Sequence, residues 1–344
     1  MAKKAIDKIE EIKNDEKVDD TTKGLINSLL KELDGGKIAE DAKTTEWVST
    51  GIKSLNFLLS GDIDKGIPVG KMILVAGKPQ SGKSIIGARI AAHAQKQDFI
   101  VVWLDAEHAS DVRFLSRAGI DVTKAIYKEI DTIEELQNKL MKILTWSKEK
   151  NRKLFIVLDS LSALSGTKEM SDAADEKLTA DMGQTAKNIR AVIRKIIHPL
   201  YYSHSVLYCV NHVYAVPGGF IPREEIGGGY SGKFFGQIVL TLNKLNAEEG
   251  ISTKVKVKSK KNREYIEGRT TEFLINYKEG IDDNIGMMDL FKEFDVVKEK
   301  GSWFNIDGDE KSYREKDLFE NKEVYEELLK RLKEKTKDLN YHTF

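Results

Sequence analysis

Residues 77 to 84 read "GKPQSGKS", with Gly77 and Gly82 five apart and Lys83 and Ser84 closing the run. An apolar stretch, "MILVA", precedes it, and a segment with helical apolar spacing, "IIGARIAAHAQ", follows. Glycines so placed let the backbone turn until several N–H groups point at one anion, and the next helix adds its positive N-terminal end. Lys83 is then set to reach the outer phosphates of a nucleoside triphosphate, and Ser84 to hold Mg2+. The expected cradle is Gly77, Lys78, Pro79, Gln80, Ser81, Gly82, Lys83 and Ser84, with Ile85 in the first helical turn. Cleavage requires more: an acid at the metal and a base at the attacking water. "LFIVLDS" ends in Asp159, a carboxylate at the carboxyl end of an apolar strand, where it can orient the Mg2+ shell. "FIVVWLDAEH" ends in Asp105 and Glu107, which share a strand face because side chains repeat every two residues. If that strand neighbours the phosphate loop, Glu107 is placed to activate water.

Three further groupings bear on partners. The apolar run "SVLYCVN" stops at Asn211 and His212, and a glycine- and proline-containing stretch of both charge signs follows, expected to be a long loop. A polar pair at the root of such a loop can report a bound triphosphate to all of it. In "TADMGQTAKNIRAVIRKIIHPL", Met182, Ala186, Ile189, Ile193 and Ile197 share one helical face, and Lys187, Arg190 and Arg194 share another. The basic stripe is either solvated surface or a track for a phosphate backbone. In "KVKVKSKKNR", alternation puts Lys254, Lys256, Lys258 and Lys260 on one strand face, more charge than can be buried without an anion opposite.

The elements that must position these groups follow from pattern. With 344 residues, 40% of them hydrophobic, the chain can bury a full core. Its 55 basic and 55 acidic residues cancel, so affinity for a polyanion must come from local patches. Cys209, the single cysteine, lies in an apolar run, which excludes a disulfide framework and fits a reducing compartment. No apolar run approaches the roughly 20 residues that span a bilayer, and the N-terminus lacks a signal-peptide core, so a cytoplasmic location is expected. Residues 1–48 form a charged arm with a helical pattern at Leu25, Ile26, Leu29, Leu30 and Leu33, which Thr21 or Thr22 can cap. Residues 49–280 alternate apolar strands with helical segments, and residues 281–344 form a small mixed region ending in a charged helix. Strands apolar on both faces with helices between them predict an α/β core: a mostly parallel sheet flanked by helices.

Taken in order, "TGIKSLNFLLSG", "GKPQSGKS", "DAEH", "FLSRAGID", "VLDSLSAL", "DEKLTADMGQTAKNIR", "VNH", "GGGYSGKF", "KVKSK" and "GIDDNIGMMDL" resemble the RecA family of recombinases, most closely its bacteriophage UvsX branch. The resemblance implies an ATP- and Mg2+-dependent, DNA-stimulated ATPase. Such a protein polymerises as a helical filament on single-stranded DNA and exchanges that strand into homologous double-stranded DNA. It implies Glu107 as the catalytic carboxylate, Asn211 and His212 as the phosphate sensor, and Asp111 and Phe114 at the adenine. Lys187 and Arg194 fall at and after the first DNA loop, and residues 213–230 form the second, ending in Gly227, Gly228 and Gly229. Lys258 and Lys260 match lysines that reach a neighbour's ATP, with Lys261 and Arg263 as rivals. The N-terminal arm becomes a subunit contact by position, and a recombination mediator and a single-strand-binding protein become expected partners. For a phage-encoded protein the compartment is the host cytoplasm. The alternatives are a hexameric helicase or another motor on the same core, and a nucleotide-gated DNA-coating protein.

Overall fold

A computed structural model describes residues 20–33, 44, 46–167, 182–216, 223–226, 236–248, 250–309 and 311–337. The chain divides into two units, Met1–Thr45 and Glu46–Phe344. The first contains helix α1 (Asp20–Glu32), on which Leu25 and Leu29 are exposed, as is Leu33 just past its end. Thr21 and Thr22, expected to cap this helix, lie inside it, because the helix already includes Asp20.

The second unit runs β1 (Trp47–Val48), α2 (Lys53–Ser60), β2 (Ile67–Pro68), β3 (Met72–Gly77), α3 (Lys83–Gln95), β4 (Ile100–Asp105), α4 (Val112–Arg117), β5 (Ala125–Glu129), α5 (Ile133–Lys150), β6 (Leu154–Asp159), α6 (Met182–Tyr202), β7 (Val206–Val216), β8 (Arg223–Ile226), β9 (Ile238–Glu248), β10 (Ser252–Asn262), β11 (Thr270–Asn276) and β12 (Gly280–Asp282). It ends with α7 (Asn284–Glu293), β13 (Val297–Lys300), β14 (Trp303–Ile306), β15 (Ser312–Tyr313), α8 (Glu315–Glu320) and α9 (Lys322–Thr336).

The large sheet has the order β12-β11-β10-β9-β3-β7-β6-β4-β5, with β8 paired to β7. From β9 to β5 every pairing is parallel; from β9 out to β12 every pairing is antiparallel. The period of two decides the layers. Ile73 and Val75 of β3 join Val101, Trp103 and Val210 under α3, whose Ile86, Ala88, Ile90 and Ala91 are buried against them. Leu74 and Ala76 face the other way, with Val102, Leu104, Ile156 and Leu158, beneath Leu136 and Leu140 of α5 and Ile189 and Ile193 of α6. The predicted α/β core is therefore present, and both faces of its parallel half are covered. A third cluster joins α7, the β13-β14-β15 sheet and α9 to Phe57 and Ile63 near α2. None of the described helices is long and apolar enough to cross a membrane.

Candidate nucleotide site and its surroundings

β3 ends at Gly77, where a Cβ would come within 2.6 Å of both the Leu242 carbonyl and Ser81 Oγ, so no larger residue fits. Gly82 has φ +88°, the left-handed region that glycine adopts at least cost, and its carbonyl accepts from Ile86 N at 2.9 Å to begin α3. Lys83, the first residue of α3, is only 5% exposed, and its Nζ donates back to the carbonyls of Gly77 (3.0 Å) and Lys78 (2.8 Å). Burial pulls its ammonium below the usual lysine value, while the carboxylates of Glu107 and Asp159 oppose that shift. Pro79, Gln80, Ser81, Gly82, Lys83, Ser84 and Ile85 line a cavity of about 490 Å³ together with Glu107, Asp159 and His212.

Glu107 reaches this cavity by a different route from the one its spacing suggests. β4 does not neighbour β3, since β7 and β6 lie between them. The strand stops at Asp105, which is fully buried, and the chain then turns across the end of β6. The N–H groups of Ala106 and Glu107 both donate to the Asp159 carbonyl, at 2.7 and 3.2 Å. Asp105 and Glu107 therefore do not share a strand face: one carboxylate supports the turn, and the other projects from it into the cavity. Burial works to raise the Glu107 carboxyl. Hydrogen bonds from Ser160 and His212 and the nearby Lys83 charge outweigh it and hold the group below the ordinary glutamate range, as the carboxylate.

Asp159 is 4% exposed, and burial pushes its carboxyl up to about 6, assisted by Glu107 and Asp105 and opposed by a hydrogen bond with Ser84 and the Lys83 charge. Its Oδ1 is buried without a hydrogen-bond partner among the described residues. A desolvated carboxylate oxygen beside a serine hydroxyl and a phosphate cradle suits Mg2+, which takes one or two protein oxygens and completes its shell with phosphate and water. The pair Ser84 and Asp159 thus fits the expected metal position.

His212 closes the cavity from β7. Its Nε2 lies 2.8 Å from Glu107 Oε1, and its backbone N–H donates to Oδ1 of the fully buried Asn211 at 2.9 Å. The pair does not end a strand, as expected; β7 continues to Val216 and folds back on β8, with Val213 opposite Ile226 and Val216 opposite Arg223. Part of the expected loop is therefore a hairpin, because "VYAV" and "REEI" can satisfy each other's backbone groups. Gly227, Gly228 and Gly229 lie outside the described residues.

Other expected residues sit elsewhere. Asp111 caps α4, accepting from Phe114 N at 2.7 Å, and Phe114 packs edge-on to Trp103 with ring centroids 5.9 Å apart; neither lines the 490 Å³ cavity. Lys187, Arg190 and Arg194 are exposed on α6, opposite buried Ile189, Val192, Ile193 and Ile196. On β10 the lysine row is partly neutralised: Glu272 of β11 bridges Lys254 (2.8 Å) and Lys256 (3.0 Å), which supplies the anion that alternation alone seemed to lack. The β9–β10 register then shifts between Ser259 and Lys261, so Lys260 and Lys261 both escape the buried face. Lys260, Lys261 and Arg263 line a second cavity of about 600 Å³ with Gly77, Thr241 and Glu267, whereas Lys258 does not. Sequence reasoning missed Lys244, Thr253, Ile275 and Tyr277, which complete the nucleotide cavity. The alternation of "TEFLIN" was the available signal for β11, the strand that places Ile275 there and leads into Tyr277.

Comparisons with known proteins bear on the chain as a whole. Residues 27–282 match the family model described as the RecA N-terminal domain. The chain is 29% identical over 296 residues to Protein RecA of Chlamydia pneumoniae, covering 83% of this chain and 81% of that protein. It is 27% identical over 328 residues to Protein RecA of Helicobacter acinonychis, covering 91% and 89%. With Protein RecA of Wolinella succinogenes it shares 28% identity over 331 residues, covering 90% and 91%.

Proposed function

We propose that this chain, which belongs to the RecA family of recombinases and DNA-dependent ATPases that use ATP with Mg2+, forms a helical filament on single-stranded DNA and catalyses strand exchange with homologous duplex. The observation that carries the reading is the contact between Glu107 and His212 at the root of the β7–β8 hairpin. It ties the group that would activate water to the segment that would meet DNA.

In this reading the loop from Gly77 to Ile85 binds the triphosphate, and Lys83 releases the two loop carbonyls to pair with its outer oxygens. Mg2+ held at Ser84 and Asp159 would neutralise charge on the phosphates. Glu107, already a carboxylate, takes the proton of the attacking water. Asn211 and His212 sense the outermost phosphate: a phosphate oxygen competes with Glu107 for His212 Nε2, so binding frees the base and shifts the hairpin together. Asp111 and Phe114 serve the adenine, while the exposed ring of Tyr277 stands at the cavity wall. Lys187, Arg190, Arg194 and the glycines Gly227 to Gly229 track the DNA backbone. Lys258 and Lys260, with Lys261 and Arg263 as alternatives, meet the triphosphate of the neighbouring copy. The histidine after Asn211 supports a place near the phage branch, and with it a host cytoplasmic location, a mediator and a single-strand-binding protein as partners. Electron microscopy with single-stranded DNA and a slowly hydrolysed ATP analogue tests the reading: helical filaments are expected, and closed rings would overturn it in favour of a hexameric motor.

A further inference from the structure

We infer that Tyr127, on the edge strand β5, is a positioning residue for Glu107. The inference rests on Glu107 acting as the base. Glu107 does not stand on a strand; it projects from a turn that must cross β6 to reach the phosphate loop. The Asp159 carbonyl holds the start of that turn. The rest is gathered by one buried carboxylate. Asp105 Oδ1 accepts from Glu107 N at 3.0 Å, and Oδ2 accepts from Ser110 N at 2.9 Å. The third group on this carboxylate is the Tyr127 hydroxyl, 3.0 Å from Oδ2 and 3.2 Å from the Ser110 carbonyl. A hydroxyl on the outermost parallel strand therefore closes a ring through Asp105, Glu107 and Ser110.

Each part of the ring does physical work on the base. A carboxylate that is 0% exposed must have its lone pairs satisfied, and among the described residues Tyr127 is the side-chain donor that does so. Without that donor Oδ2 depends on a single backbone N–H, and Asp105 is free to rotate away from Glu107 N. The turn then loses the bond next to the catalytic side chain itself. Burial and the Asp105 carboxylate push the Tyr127 hydroxyl up to about 12, so it remains a donor throughout the neutral range. His108, in the left-handed region at φ 53°, adds a second tie from the same turn to the segment just after β5, with Nε2 2.9 Å from Asp131 Oδ1. Loss of the Tyr127 hydroxyl thus loosens the turn and does not unfold it.

The test is Tyr127→Phe, made in the otherwise unchanged chain and again in Glu107→Gln, with Asp105→Asn treated in the same way as a second variant. Where Glu107 is present, kcat for DNA-stimulated hydrolysis should fall about tenfold with KM unchanged, the scale of a misplaced catalytic group. In the Glu107→Gln background, Tyr127→Phe should cause no further loss, because there is no base left to misplace. A loss below about twofold in the first background, or equal fold-losses in both, overturns the inference, the latter showing a merely structural role. Full turnover in Glu107→Gln alone would instead overturn the assignment of the base, so the two failures are separable.

Discussion

The two halves of the large sheet manage charge differently. In β3, β4 and β6 both faces are buried, and charged groups stand only at or beyond their carboxyl ends. There Lys83, Glu107, Asp159 and His212 answer one another around a single cavity. In the antiparallel flank, β10 carries lysines along its length, alternating with buried Val255 and Val257. Glu272 answers Lys254 and Lys256, but Lys258 and Lys260 have no ion pair among the described residues. One half gathers opposite charges around a single cavity, and the other leaves Lys258 and Lys260 open at the surface. A parallel strand covered on both faces can place charge only at its end, whereas an antiparallel flank with one open face can expose a row of it.

The sharpest way to break this comparison is to remove the base from the self-contained half. Glu107→Gln should bind ATP and form filaments yet lose turnover by roughly 100-fold or more, the scale of general-base removal. Normal hydrolysis in that variant would mean that the cavity's charges do not form a catalytic network. Lys83→Ala should fail earlier, losing ATP binding and with it nucleotide-dependent DNA binding, as a filter-binding assay with labelled ATP would record.

Asp159 tests whether the network is strained before its ligand arrives. Its folded carboxyl sits near 6 against an ordinary 3.8, so between those values the folded state binds more protons than the unfolded one. Stability contributed at this site therefore falls as pH rises through that window, and at neutral pH the buried charge costs at most about 3 kcal/mol. Without nucleotide, Asp159→Asn should melt higher than the parent at pH 7, and the gap should close as pH falls towards 4. With ATP and Mg2+ the order should reverse if Asp159 holds the metal, because the amide has lost the negative charge that would orient its shell. An Asn variant no more stable than the parent at pH 7 would contradict this account.

The open half predicts dependence on a second subunit. Lys258→Ala combined with Lys260→Ala should retain ATP binding and lose about 100-fold or more of DNA-stimulated hydrolysis, the lower part of the range for a charge supplied to the transition state. Mixing this variant with Glu107→Gln should restore turnover above either parent, since an intact Glu107 can then face intact lysines. Mixed filaments with no recovery would refute a shared site. If instead Lys261→Ala or Arg263→Ala reproduces the defect, the acting cation is one that lines the 600 Å³ cavity and not Lys258.

How much of this was legible in the sequence follows the same division. Apolar runs marked β3, β4, β6, β7 and β9 because strands covered on both faces leave little choice of residue. The phosphate loop was legible for a similar reason, since Gly77 has no room for a Cβ and Gly82 a positive φ. The edge strand β5 was not, because "AIYKE" is open to solvent and it meets the Asp105 carboxylate only through a hydroxyl. Sheet order was also hidden: the distance from β4 to β3 is a tertiary fact, and only the hydrogen bonds to the Asp159 carbonyl show how Glu107 bridges it. The Glu272 bridges escaped notice because the partner lies on another strand, outside the alternation that exposed the lysines.

The smallest expected effect separates the two exposed sets of cations. Lys187, Arg190 and Arg194 lie along one side of α6 with no ion pair among the described residues, while Lys254 and Lys256 already share Glu272. A cation without an internal partner gains fully from a phosphate and releases a counterion when it binds one; a bridged lysine must first give up its carboxylate. For single-stranded DNA, Lys187→Ala and Arg194→Ala should each reduce the slope of log affinity against log salt by about 0.7, one lost phosphate contact. The weakening should be similar for different base sequences, since phosphate contacts position a strand without specifying it. Lys254→Ala should leave the slope unchanged, because its charge is committed within the fold. Equal slope changes at Lys187 and Lys254 would erase the distinction between a surface waiting for DNA and a strand waiting for a neighbour. A change at Lys254 alone would move the DNA track from α6 to β10.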